Sequence, residues 1–487
     1  MIYLAFILIL LASPSWAKTL YVNNSGSPAC SNDTTYANND ASNPWCLIGR
    51  AAWGSTNPNS PSASEAAAAG DVVLITAGTY TTDGVTSGGR FDVALNAAND
   101  GTVGNPITFR GVGTVNIRMT ANHTGPTIGA KSRDYIIWDH ITIDDTYCGS
   151  VSDSGPVVFW DSTGSQLINS TLQGHTGTLT YDDGHNTFAN NYDLVRTEST
   201  NGIRIANNTI SRVYNRNTGS RGSNQAGITM YDSVDAIIEH NEVFDAGNGI
   251  YIKGDDAGNP IVQSGTIVRF NRFHDNDRGM QVSAAYQAKI YQNIIKSNTV
   301  YGIRQDNFVS PRSEQVTIQN NVVAAHSNGT SIGYSADGGT SNIVNLRVFN
   351  NIFTGAFHEA VNIGTQAIPD STFEHNIYNG YTTWGSYSGA QRSFATWTGT
   401  GKDSASPASV TSDPLFVNTT DYKLQGGSPA LNLGVDILDL DGDTSTTDNV
   451  DAGAYITGSE VIGVEGAAAG TAGLSGSRSF FGSARIQ

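Results

Sequence analysis

The chain has 487 residues, with 26 Lys and Arg against 43 Asp and Glu, a formal charge of −17, and charged residues at only 14%. So few charges leave little to coat exposed helices, which sets aside coiled coils and helical bundles, while abundant Ile, Val, Phe and Tyr argue against disorder. The acidic balance excludes a nucleic-acid binder working through a basic face.

Residues 1–17 read as a secretory signal peptide: Ile2 to Leu11 form an apolar run, and Ser15-Trp16-Ala17 supplies a small-x-small cleavage site, although no Lys or Arg precedes the run. The run is shorter than the roughly 20 residues of a membrane span. The expectation is export, to the periplasm or beyond, with no membrane attachment after cleavage. In such an oxidising compartment Cys30 and Cys46 are expected to pair, leaving Cys148 over. Pro61 to Ala69 can form a small apolar helix, which leads into the strand pair Gly70 to Tyr80; Asn105 to Phe109 and Tyr135 to Trp138 continue the strands. Residues 18–455 are expected to be one domain and the Gly/Ala/Ser-rich residues 456–487 a flexible tail.

From residue 165 onward a short phrase recurs: an apolar residue, two variable residues, Asn, one variable residue, another apolar residue. Its copies centre on Asn208, Asn241, Asn271, Asn293, Asn321, Asn351 and Asn376, with Ser170 in the Asn place of an earlier copy; the gaps run from 22 to 38 residues. Upstream of each Asn lies a second phrase, a small residue followed by apolar-x-apolar, as in Gly227-Ile-Thr-Met230, Gly249-Ile-Tyr-Ile252 and Gly279-Met-Gln-Val282. Period-two alternation means strands with one face buried. With no helix between them they cannot form βαβ units, and a propeller or leucine-rich repeat would hold a tighter period. The expected fold is all-β: a right-handed parallel β-helix, with an N-terminal capping helix and a loop-rich C-terminal cap over its open edges. Stacked coils would turn the Asn residues into a ladder of side-chain amides.

Ala69 to Tyr80, Ser412-Asp-Pro-Leu-Phe416, Gly427 to Gly434 and Val450 to Tyr455, together with the Asn repeats, resemble secreted bacterial right-handed β-helix proteins, a group that includes polysaccharide lyases. The resemblance spans nearly the whole chain after residue 17.

On the Gly-led strands, inward Ile250 and Ile252 leave Tyr251 and Lys253 pointing out. Neighbouring coils add Thr229 and Tyr231, Gln281 and Ser283, Arg304 and Asp306, and earlier ones Val158 and Trp160, Arg196 and Glu198. β-Elimination of a uronate polymer needs a base for the proton beside the carboxylate, a cation to neutralise that carboxylate, and an acid for the leaving oxygen. Lys253 is the candidate base, Tyr231 or Tyr251 the acid, and Arg304 the neutralising cation. Arg196, Gln281, Trp160 and Asp306 are expected to bind substrate, Arg196 by bidentate pairing and Trp160 by stacking on a sugar ring. Lys253 after apolar-x-apolar also looks like the base lysine of the alginate lyase and chondroitinase B group, which carries an Arg-His pair where this chain has Ser283-Ala284.

Two alternatives share this face. A glycoside hydrolase would use a pair among Glu198, Asp232, Asp255, Asp256 and Asp306, and a non-catalytic adhesin or surface protein would hold glycans without cleaving them. Asp439, Asp441, Asp443 and Asp448 have the alternating oxygen ligands of a calcium loop, or form a plain Asp-rich turn. No organic cofactor is implied. The expected partner is an extracellular acidic polysaccharide, met by a monomer.

Overall fold

The computed structural model describes residues 17–82, 91–119, 125–144, 155–174, 192–214, 220–222, 224–254, 263–306, 313–324, 330–335, 343–355, 359–363, 371–381, 385–387, 390–399, 401, 403 and 408–464. The proposed signal peptide apart from Ala17, together with Cys148, Asp255 and Asp256, lies outside them.

One coil illustrates all. Ile237–Glu239 forms a first strand, His240 turns the chain at φ 55°, Asn241 points inward, Glu242–Ala246 forms a second strand, and after Gly247 the strand Asn248–Lys253 closes the coil. The next coil repeats the order in parallel register, Ile238 beside Val268, Val243 beside Phe273 and Ile250 beside Met280. Stacking of this kind builds three long parallel sheets and, among the described residues, a short four-stranded one from Gln263–Ser264, Ala285–Tyr286, Ser313–Glu314 and Ile343–Val344. The first two merge at the N-terminal end, where β1 (Thr19–Val22), β2 (Val72–Thr82) and β3 (Ile107–Met119) stack and β3 pairs with both strands of the coil that follows. The third has eleven strands among the described residues. The chain is thus a parallel β-helix, its centre filled by inward columns such as Ile205, Ile238, Val268, Ile290, Ile318, Val348 and Phe373, each fully buried.

The expected Asn ladder is present. The Asn208 amide nitrogen donates to Asn241 Oδ1 at 2.9 Å, and the relay continues through Asn271, Asn293, Asn321 and Asn351 to Asn376 at 2.9–3.2 Å. Each Oδ1 from Asn241 to Asn376 also accepts the backbone N–H of the Asn one coil earlier, and that of Asn208 accepts the N–H of Ser170. The ladder therefore satisfies backbone donors at a bend that would otherwise be buried unpaired. Directly before each ladder Asn stands a residue in the left-handed region: Asn207, His240, Phe270, Gln292, Asn320, Asn350 and His375, all with φ between 50° and 58°. That conformation is costly for Phe270, so bend and ladder hold each other in place. Asn276 and Asn298 form a second, shorter run at the next corner, where Ala246 N–H donates to Asn276 and Asn276 N–H to Asn298.

Three expectations need correction. The capping helix is α1 (Ile48–Trp53), buried along its whole length, whereas the stretch from Pro61 to Ala69 contributes only a 3₁₀ turn at Ala63–Glu65. The backbone donors of Ser62 and Ala67 go to carbonyls of α1, of Trp53 and Ala51, instead of to their own segment. At the other end, α2 (Phe394–Thr398) sets Trp397 edge-on against Phe373 and closes the last coil. Ser409 and Val410 add one last rung to that end, Ser409 Oγ accepting from Asn376 N and Val410 pairing in parallel with Ile377, but the residues after them to 464 return along the outside of the second sheet as a flap. They bury Tyr422, Ala430, Leu433 and Tyr455 against Ile294, Val322, Ile352 and Ile377. Residues 456–464, expected to begin a flexible tail, are part of this flap: Ile462 is buried, and Gly463 N–H donates to Phe270 O at 2.7 Å. The Cys30–Cys46 disulfide is formed.

Candidate functional site

The third sheet carries the candidate residues in two outward rows. Parallel register aligns Lys131, Trp160, Glu198, Tyr231, Lys253, Ser283 and Asp306 in one row, and Val158, Arg196, Thr229, Tyr251, Gln281 and Arg304 in the other. Successive residues in a row stand about 4.8 Å apart, the strand spacing. The rows exist because Ile228 and Met230, Ile250 and Ile252, and Met280 and Val282 are all inward and fully buried, which forces the residues between and after them outward.

Both rows were expected to be exposed; the first is so only in part, with Ser283 fully buried, and the second is mostly buried, with Arg304 half-buried. Arg196, Thr229, Tyr251 and Gln281 are 1–6% exposed, while Trp160, Tyr231 and Lys253 are half-buried. The reachable feature is a strip along the first row, with the second row as its buried flank.

Lys253 and Tyr231 meet at the centre of the strip: the Lys253 ammonium lies 5.0 Å from the Tyr231 ring centroid. On the other side of Tyr231 the Arg196 guanidinium sits 4.1 Å from the same centroid. Arg196 is not the substrate-binding cation expected of it. Its Nε and Nη2 hold Glu198 at 3.0 and 2.7 Å, and Nη1 reaches Asp193 at 3.5 Å. Burial works to lower its pKa, but the charges of Asp193 and Glu198 outweigh burial and raise it, so Arg196 is a permanent cation neutralised within the protein. It fixes Tyr231 in place. Both bonds go to Oε2 of Glu198 and so engage one of the carboxylates considered for hydrolysis. Trp160 carries Phe91 stacked on one face, centroids 5.0 Å apart and planes 8° from parallel, with Lys131 Nζ 5.5 Å from its ring; a sugar has less of this ring than expected. Arg304 lies over Tyr301 at 5.6 Å, two coils from Tyr251. Asp306 is in register with Ser283, but its side chain lies outside what is described.

Just past the strip, Ser132, Asp161, Ser199 and Asp232 turn the chain at φ 43–53°. They line an open groove of about 470 Å³, with Asp100 and Asp134 on its wall. The sequence reading missed Lys131, although its phrase was visible: Ile128-x-Ala130-Lys131 repeats Ile250-x-Ile252-Lys253.

The Asp-rich loop lies on the flap, well away in sequence and on another sheet. Its carboxylates group as Asp436, Asp439 and Asp441, and as Asp441, Asp443 and Asp448, each triad with oxygens within 4.8 Å of one another. Asp436, absent from the expected set, is fully buried, and burial raises its pKa while the backbone N–H groups of Leu438, Leu440 and Asp441 bond to it. Hard carboxylate oxygens in two triads sharing Asp441 suit calcium.

Comparison with known proteins bears on the fold. Residues 193–378 match the family model described as right handed beta helix region. Among solved structures, pectate lyase Pel9A is 13% identical, with 91% of this chain and 97% of that chain covered and a TM-score of 0.52. The A-module of the Azotobacter vinelandii mannuronan C-5 epimerase AlgE6 is 15% identical over 70% of this chain and 90% of that chain, with a TM-score of 0.43. No curated protein sequence matches the chain. At such identities the likeness is one of architecture, and that architecture is the right-handed parallel β-helix.

Proposed function

We propose that this protein is an exported polysaccharide lyase that cleaves a uronate-containing chain by β-elimination along the strip of the third sheet. The observation that carries the reading is the seating of Lys253 on Tyr231 in adjacent coils. It brings a candidate base and a candidate acid together on an accessible strip of a protein whose overall charge would repel a polyanion. Lys253 Nζ, as general base, takes the proton from the carbon beside the carboxylate, the electron pair forms the ring double bond, and the bond to the glycosidic oxygen breaks. That oxygen takes a proton from the phenol of Tyr231. In this reading Arg304, half-buried two coils on, stabilises the carboxylate as charge builds on it, while Gln281 is buried beneath the strip. Calcium, held by the flap triads, belongs to stability in this reading and takes no part in the chemistry.

An ultraviolet assay on alginate, pectate and glycosaminoglycans tests the proposal, since elimination leaves an unsaturated, absorbing sugar. A glycoside hydrolase is the second reading, favoured by Asp161 and Asp232 in one groove with Ser199 between them. It yields new reducing ends without absorbance.

A further inference from the structure

We propose that the strip ends in a pocket for the terminal sugar of an acidic polysaccharide, so that the chain is engaged from one end. The inference rests on the reading of the strip as a polysaccharide site and adds a terminus and a charge requirement to it.

The third sheet ends at Ile128–Lys131, and the strip with it. The segment 92–98 runs along that edge: the Asn96 side chain donates to Lys131 O at 3.0 Å and accepts from Lys131 N at 2.8 Å, and Ala94 and Leu95 donate to the carbonyls of Pro126 and Thr127. Behind this segment stands α1, whose Trp53 indole donates to Ala94 O at 2.9 Å. Between them and the end of the strip lies a pocket of about 170 Å³, lined by the apolar Trp53, Pro58, Pro61 and Ala97 and by the charged Asp92, Lys131 and Arg133. Pockets for drug-sized ligands run roughly 300–1,000 Å³, so this one has room for about one sugar ring.

Its charge is asymmetric. Lys131 is bonded to Asp92 and so neutralised. Arg133 is held in place by uncharged groups, its Nε on Ala97 O at 2.9 Å and its Nη1 on Ser132 O at 3.2 Å. Asp100 comes no nearer than 3.9 Å, and the Arg133 side chain is 35% exposed. A guanidinium oriented by carbonyls and only loosely paired with Asp100 at 3.9 Å can exchange that pairing for the shorter bidentate bonds of an incoming carboxylate, and the apolar wall suits the face of a pyranose ring. Trp160 and Lys131 connect the pocket to the row that leads to Lys253.

Calorimetric titration with trimers of mannuronate, guluronate and galacturonate, and of neutral glucose, tests this in the full chain, alongside viscosity during digestion of the polymer. The expected result is binding of an acidic trimer, no binding of the neutral one, and at least about tenfold weaker binding in Arg133→Ala. Pro61→Trp, which narrows the mouth from an exposed position, should weaken binding equally, and circular dichroism checks that both variants fold. Absorbance should rise while viscosity holds. Failure of every acidic trimer to bind, unchanged affinity in both folded variants, or an early collapse of viscosity overturns the proposal. Acidic-trimer binding that depends on Arg133, without any ultraviolet product, keeps the pocket and rejects the lyase.

Discussion

Side chains separate at the residue scale by what they are bonded to. Lys253 could be placed on the outward face from its two isoleucines alone, and the register agrees. That Arg196 is consumed internally was also visible in principle, because Arg196 and Glu198 are two apart on one strand and so share a face; the cover over it depends on the fold and could not be read. Asp403 shows the opposite limit. It lies 2% exposed beside α2, and burial, with the charge of Glu374 added, pushes its pKa from 3.8 up to about 6 against the pull of Ser409, Trp397 and Tyr378. A raised acid pKa means the fold disfavours the ionised form, so the cost is absent below pH 4 and complete above pH 6. A shift of about 2 units corresponds to at most about 3 kcal/mol. Asp403→Asn is therefore expected to raise the melting temperature at pH 7 and leave it little changed at pH 4; equal gains at both pH values would contradict the assignment.

Elements are legible here to the extent that their bonds repeat. Seven ladder asparagines were readable because each coil solves the same problem with the same residue, and the parallel stack followed from them. The capping helix was misplaced because the propensity of the alanines at 66–69 was outweighed by hydrogen bonds to α1, a tertiary effect. The flap had a signal that went unread: the outward residue after the ladder Asn is Thr209, Glu242 and Arg272 in early coils, then Ile294, Val322, Ile352 and Ile377, a polar-to-apolar change marking where a cover must lie. Asn293→Ala tests the ladder. It strips acceptors from both the backbone and side-chain N–H of Asn271 and removes three bonds donated by its own amide. With unsatisfied buried groups costing about 1–3 kcal/mol each, a loss of about 3–5 kcal/mol is expected in thermal or urea unfolding; a loss below about 1 kcal/mol would mean that the amides are ornamental.

Across the whole molecule, the strip proposed for substrate lies on one sheet and the flap on another, so the two can be tested separately. Calcium bound at the Asp441 triads would hold the flap loop, and a ligand that binds only the folded state raises stability by mass action. Calcium at 100 times its dissociation constant should add about 2.7 kcal/mol, seen as a higher melting temperature that chelation reverses and that Asp441→Ala abolishes. A melting temperature indifferent to calcium would leave the loop as a turn closed by its own backbone bonds.

The central claim is that the strip around Lys253 performs β-elimination on a polyuronate. Its most direct test is ultraviolet absorbance from alginate, pectate and glycosaminoglycans treated with the native protein and with Lys253→Ala of the same melting temperature. The account predicts absorbance with at least one polymer and a loss of about a hundredfold or more in the variant, within the contribution expected of a positioned base. Absorbance that survives intact in Lys253→Ala, or reducing ends released with no absorbance at all, would contradict it.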